Sequence, residues 1–263
     1  MNLGIAGRVA VVVGSSSGLG YAAAEMLALE GARVLVVSRS EDRVRTAVER
    51  IRRSGGAEVA GMALDITDPD GPDKVVRKAS EVFGAPTIVV ANAGGPPAMP
   101  AVEAGADDLE AACRLLVLPV QRLFRATHAT MRDGGWGRFI AITSIAVLEP
   151  QPGLVLSNAL RAAVTGYLKS LADEVAREGI TVNSVCPGYT ATKRLDQLAG
   201  GLAAQNQVEP AEILAGWADQ VPIKRLLQPE EVAAAVAFLC SEAASGITGI
   251  ALPVDGGFRR GLL

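Results

Sequence analysis

Short valine-rich runs alternate with stretches of helical spacing from one end of this 263-residue chain to the other. No other feature restricts the fold as tightly. "RVAVVVG" (8–14) carries apolar residues at consecutive positions, so both faces of that strand need cover, as in a parallel sheet. Helical spacing follows in "YAAAEMLALEG" (21–31) and stops at Gly31. The pattern repeats, with strands over 32–38, 58–65, 86–94, 137–143, 179–188 and 249–257. Helices are expected over 40–56, 71–84, near 107–133, and over 157–178 and 229–242. Alternation of this kind predicts an α/β protein with a doubly wound parallel sheet and right-handed crossovers. There is no repeat, low-complexity block or linker, so residues 1–263 are expected to form a single domain. The segment 189–224 departs from the pattern. It has no strand signal and weak helical spacing around "AGGLAAQNQVEP", which predicts either an irregular lid over a binding site or a disordered excursion.

Composition removes several classes of function. Hydrophobic residues make up 49% and charged residues 20%, enough for a sizeable core. A net charge of −3 gives neither a nucleic acid nor an anionic membrane anything to bind. Cys113, Cys186 and Cys240 are too few and too scattered for a disulfide framework or a zinc site, and read as core residues. No metal is expected. No apolar run approaches the roughly 20 residues of a membrane span, and no signal-peptide pattern is visible. A soluble cytoplasmic protein with a small-molecule substrate is the expectation.

"VVVGSSSGLG" (11–20) places Gly14, Gly18 and Gly20 between the first strand and the first helix. Glycines permit a tight turn and let a diphosphate approach N–H groups at the positive end of a helix. The spacing G-x-x-x-G-x-G differs from the G-x-G-x-x-G dinucleotide fingerprint. By itself the motif is also compatible with an ordinary strand–helix turn.

Five further stretches follow it in order: Asp65 in "LDITD", "ANAG" (91–94), Ser144 in "GRFIAITSIA", "ITVNSVCPGYTAT" (180–192) and the block 228–257. Together they resemble the short-chain dehydrogenase/reductase family, a Rossmann-type fold, over nearly the whole chain. The resemblance implies a nicotinamide dinucleotide. Gly14, Ser16, Ser17, Gly18, Leu19 and Gly20 would surround its pyrophosphate, and Asp65 with Ile66 would hold the adenine. Asn92, Ala93 and Gly94 would pass the adenosine ribose. Pro187, Gly188, Thr190 and Thr192 would meet the nicotinamide end. Where an acidic residue would bond the ribose 2′-hydroxyl, Ser38 stands, followed by Arg39. A hydroxyl beside a guanidinium favours a 2′-phosphate, hence NADP(H) over NAD(H).

The same resemblance implies a Ser, a Tyr thirteen residues later and a Lys four further on. Counting from Ser144, those places hold Ser157 and Arg161, and the helix asparagine of the family's proton relay falls near Leu116. Read alone, Ser157 is a helix N-cap and Arg161 a solvated charge. Read with the family, Ser144, Ser157 and Arg161 are the catalytic candidates. An alkyl hydroxyl is a far weaker acid than a phenol, and arginine cannot relay a proton. It can bind the cofactor ribose or supply fixed positive charge to an alkoxide or enolate. Tyr189, Tyr167 and His128 are alternative proton sources, each also readable as a packing residue. Three functions follow: a carbonyl reductase or alcohol dehydrogenase with a modified relay, a non-redox lyase, dehydratase or isomerase, or an inactive cofactor-binding protein. The lid's Lys193 and Arg194 suit an acid or a phosphopantetheine arm, or are merely solvated. A homo-oligomer, tetramer or dimer, completes the expectation.

Overall fold

The computed structural model describes residues 2–56 and 58–262. Its strands are β1 (Val9–Val13), β2 (Arg33–Ser38), β3 (Val59–Ala63), β4 (Ile88–Asn92), β5 (Gly137–Ile142), β6 (Ile180–Pro187) and β7 (Ala251–Val254). They form one sheet in the order β3-β2-β1-β4-β5-β6-β7, with every pairing parallel. The valine runs explain why. All five residues of β1 are buried: Val9, Val11 and Val13 enter one core layer, Ala10 and Val12 the other. Full burial of a valine is worth about 1.5–3 kcal/mol, so a strand without a polar position is stable only inside.

Helices α1 (Gly18–Leu29), α2 (Glu41–Arg53) and α9 (Pro229–Leu239) cover one face. The other face carries α3 (Gly71–Val82), α5 (Leu118–Asp133) and α6 (Val155–Val175), with α4 (Ala106–Leu116) packed beside α5 and α6. The chain runs outward from β1 through β2 and β3, then crosses back to β4 on the other side of β1. The loops leaving β1 and β4 diverge there and open a crevice at the C-terminal edge of the sheet, where such folds bind ligands.

Three expectations need correction. The helix near 107–133 is two helices, broken at Val117, because Pro119 in the first turn of α5 lacks the N–H that would bond the Leu115 carbonyl. The helix expected from 157 begins at Val155 with Leu154 as its N-cap, so Ser157 lies inside the first turn and does not cap it. The lid is not irregular. It folds into α7 (Lys193–Asn206) and α8 (Pro210–Gln220). The Thr192 hydroxyl caps α7, whose stripe Leu195, Ala199 and Ala203 is buried. Gly200 and Gly201 each cost about 1 kcal/mol of helix propensity, which hid this helix until packing stabilised it. No described helix is long and apolar enough to cross a membrane.

Candidate active site

The crevice is built first from backbone. Gly14 turns out of β1 at φ 63°, and a Cβ there would lie 2.6 Å from the Asn92 carbonyl oxygen. Gly20 backs onto the Gly14 carbonyl, leaving no room for a side chain. The Asn92 amide donates to that same carbonyl at 3.1 Å, so Asn92 braces the glycine loop against β4. Gly18 opens α1 at φ 57°, with only the Thr192 side chain, at 3.7 Å, near the position of a Cβ. Ser17 is the N-cap but makes no side-chain cap, and the first turn holds no acidic residue. The first N–H groups of α1 therefore have no side-chain cap, in a cradle that an anion fits. Gly94 is open, with nothing within 4 Å of a Cβ. Leu19 packs partly into the core beneath the loop.

Ser15 was missed by sequence reasoning. It is fully buried, donates to Val12 at 2.6 Å and accepts from the Val37 N–H, tying β1 to β2. Only a hydroxyl inside a glycine loop hinted at this. Ser16 donates to Ser38 at 2.9 Å, placing both at the end of β2 beside exposed Arg39. Asp65 accepts from the Thr67 N–H at 3.0 Å and its hydroxyl at 2.8 Å. The Thr67 N–H bond first, then its hydroxyl and the charge of Arg39, hold the Asp65 carboxyl below the usual carboxylate range against the opposing effect of burial. Ile66 and Ala93 line the crevice wall.

At the far end, Gly188 follows Pro187, and its N–H donates to Val254 at 3.0 Å. A Cβ on Gly188 would come within 2.8 Å of the Asp255 Cα. Thr190 is buried and donates to the Gly188 carbonyl; Thr192 donates to the Thr190 carbonyl. Both hydroxyls help shape the turn into the lid.

Ser144 lies two residues past the end of β5, half-buried, and its oxygen accepts from the Ala146 N–H at 3.1 Å, which leaves the hydroxyl hydrogen unspent. Arg161 is no solvated charge. It is 9% exposed. Its Nη1 donates to the Ile142 and Thr143 carbonyls at 3.1 Å each, and its Nη2 reaches Ala93 and Gly94 at 3.4 Å each. It thus staples the ends of β4 and β5 through neutral acceptors. Burial, and secondarily the charge of Arg194, push its pKa down to about 10; it remains a cation at neutral pH. Ser157 lies half-buried one turn earlier on α6. Leu116 lines the same cavity with Val120, Leu123 and Val164, an apolar wall behind the guanidinium. The Cys186 thiol lies beside Thr143, and burial pushes its pKa up.

The other proton candidates are occupied elsewhere. Tyr189 stacks on Trp217 of α8 with ring centroids 5.1 Å apart and meets Phe258 edge-on, its hydroxyl 3.4 Å from Gln151. Tyr167 packs against the core, and His128 stacks on Phe124 and pairs with Glu178 at 2.6 Å.

The fold and this edge are those of a Rossmann-type α/β protein. A family model described as enoyl-(acyl carrier protein) reductase matches residues 13–259, and the chain belongs to this family of short-chain dehydrogenases/reductases. It is 34% identical to the 3-oxoacyl-(acyl-carrier-protein) reductase of Vibrio cholerae over 97% of this chain and 98% of that protein. It is 36% identical to the cis-4-hydroxycyclohexanecarboxylate dehydrogenase of Sinomonas cyclohexanicum, covering 98% and 99%. The L-sorbose reductase of Gluconobacter frateurii, solved with NADPH and L-sorbose, superposes with a TM-score of 0.94 at 37% identity over the full length of both chains.

Proposed function

We propose that this protein is an NADP(H)-dependent oxidoreductase that interconverts a carbonyl and an alcohol on a small molecule or acyl thioester. The observation that carries the reading is the uncapped glycine cradle at the start of α1, on the same sheet edge as the fixed cation Arg161. Relatives named as reductases and a dehydrogenase support the reaction class, and the NADPH complex of the sorbose reductase supports the cofactor. Ser38 and Arg39, with no carboxylate at the end of β2, favour NADP(H) over NAD(H).

In this reading Gly14, Ser16, Ser17, Gly18, Leu19 and Gly20 receive the diphosphate, Ser38 and Arg39 the 2′-phosphate, and Asp65 and Ile66 the adenine. Asn92, Ala93 and Gly94 flank the ribose, and Pro187, Gly188, Thr190 and Thr192 form the nicotinamide end. The bound coenzyme supplies or accepts the hydride. Ser144 donates its unspent hydrogen to the substrate carbonyl oxygen. Ser157 orients that oxygen but is too weak an acid to protonate it, since even a phenol has a pKa of about 10. The proton comes from solvent water. Arg161, with its Nη hydrogens committed to four carbonyls, acts through its field on the developing alkoxide. The enzyme works as a cytoplasmic tetramer or dimer of single-domain chains, with neither nucleic acid nor membrane as a partner.

Steady NADPH oxidation across a panel of ketones and β-ketoesters is the test. Ser144→Ala should lower kcat/KM by about 10²–10³-fold, the cost of removing one such donor. Tight NADPH binding without turnover of any member overturns the reading. A second reading is favoured by a cation that cannot relay protons: Arg161 would stabilise an enolate in a lyase, dehydratase or isomerase. Product formed without any change in nicotinamide absorbance identifies it.

A further inference from the structure

Two guanidiniums hold the loop that leaves β4, and among the described residues neither has a carboxylate partner. Arg161 Nη2 reaches the carbonyls of Ala93 and Gly94, and Arg194 Nη2 donates to that of Pro96 at 2.7 Å. Gly95 lies between. A Cβ there would sit 2.6 Å from Arg194 Nε and 2.7 Å from its Nη2, so the guanidinium rests on bare backbone, where a surface arginine would extend into water. Arg194 is half-buried, and its charge is one of the causes that depress the Arg161 pKa. Two cations with like charge, both partly desolvated, are costly to hold beside one four-residue stretch unless an anion joins them. The acidic groups along the crevice are engaged with other partners: Asp65 is bonded to Thr67 near Arg39, and Asp255, against Gly188, accepts from the Gly257 and Arg259 N–H groups.

We propose that Arg194, with the field of Arg161 behind it, is a seat for a carboxylate on the substrate, so that the preferred substrate is an oxo acid and not its neutral ester. The proposal rests on the reductase reading above. The Nη1 of Arg194 is the group that meets the carboxylate, while Nη2 keeps the Pro96 bond and Nε lies over Gly95. The same oxyanion chemistry has one competing source, the coenzyme diphosphate, because Thr192, two residues before Arg194, lies against Gly18.

The experiment compares acetoacetate with methyl acetoacetate and levulinate with methyl levulinate, using wild-type protein, Arg194→Gln and Arg194→Lys. Wild type should favour each acid over its ester by about 10–100-fold in kcat/KM, the range of one charge-assisted hydrogen bond. Arg194→Gln should abolish that ratio, and Arg194→Lys should restore part of it. NADPH affinity is measured on each variant by fluorescence. Equal rates on acid and ester overturn the seat. So does a ratio untouched by Arg194→Gln while NADPH affinity falls, which would assign the guanidinium to the diphosphate. Calorimetry of levulinate on the coenzyme-free protein separates the seat from the reductase reading. Heat lost in Arg194→Gln, without turnover of any ketone, sinks the reductase reading and keeps the seat; no heat in wild type sinks the seat. Gly95→Ala, which displaces the guanidinium without removing it, should reproduce the loss.

Discussion

Two arginines are buried at opposite ends of β5, and their surroundings differ in kind. Arg138, at the N-terminal edge, is 2% exposed, donates to the Ser241 carbonyl, lies 3.5 Å from Glu242 and stacks 4.3 Å from the Trp136 ring centroid. Arg8 covers the same indole and also faces Glu242. A carboxylate and an aromatic face thus answer the charge. Arg161, at the C-terminal edge, has four neutral carbonyls and a second arginine. A buried charge with a counter-charge locks a fold together; one left uncompensated beside a crevice is poised for an anionic ligand or transition state. The N-terminal edge of this sheet is scaffold, and the C-terminal edge is where the proposed chemistry sits.

The comparison breaks most visibly on activity. Arg161→Met should lower kcat/KM by about 10²–10³-fold, read by steady-state kinetics on folded protein. Arg138→Met should leave turnover per folded molecule intact. Its cost appears in chemical denaturation, at about 2–3 kcal/mol, below the usual range for breaking a buried pair because Glu242 is half-exposed. Gly18→Ala sharpens the contrast from the backbone side. A side chain at φ 57° costs about 1–2 kcal/mol, so NADPH should bind about tenfold more weakly while the two arginines keep their contacts.

The smallest effect concerns pH. Folding lowers the Arg161 pKa from its ordinary value to about 10, so between those values the unfolded chain binds more protons than the native one, and stability rises with pH. The burial cost is present in full below pH 10 and is relieved above it. At pH 10.5 wild type should therefore gain about 1 kcal/mol relative to Arg161→Met, compared with pH 8, in paired denaturant titrations. An unchanged difference would mean that the guanidinium is solvated.

Much of the molecule was legible in one dimension. The all-buried pattern of "RVAVVVG" specified a central parallel strand, because no other setting covers both of its faces. The glycines at 14, 18 and 20 marked the cradle, since a positive φ and the close approach of Asn92 exclude a side chain. Ser157 and Arg161 stood out because a resemblance assigned them places where a phenol and an amine were expected. The lid was illegible: α7 is stabilised by three buried apolar residues and by packing on α8, against two glycines that speak for a loop. Ser15 was equally hidden, since its bonds run to Val12 and to a strand 22 positions away.

By itself the sequence determined the sheet, its winding and the place of the crevice, because apolar periodicity and glycine conformation act over a few residues and need no distant partner. Tertiary structure alone decided what Arg161 is. The same side chain on the same helix would be a solvated charge if α6 were turned to water. Packed against the ends of β4 and β5, it becomes a desolvated cation, since the dielectric around a charge is set by everything the fold brings near it.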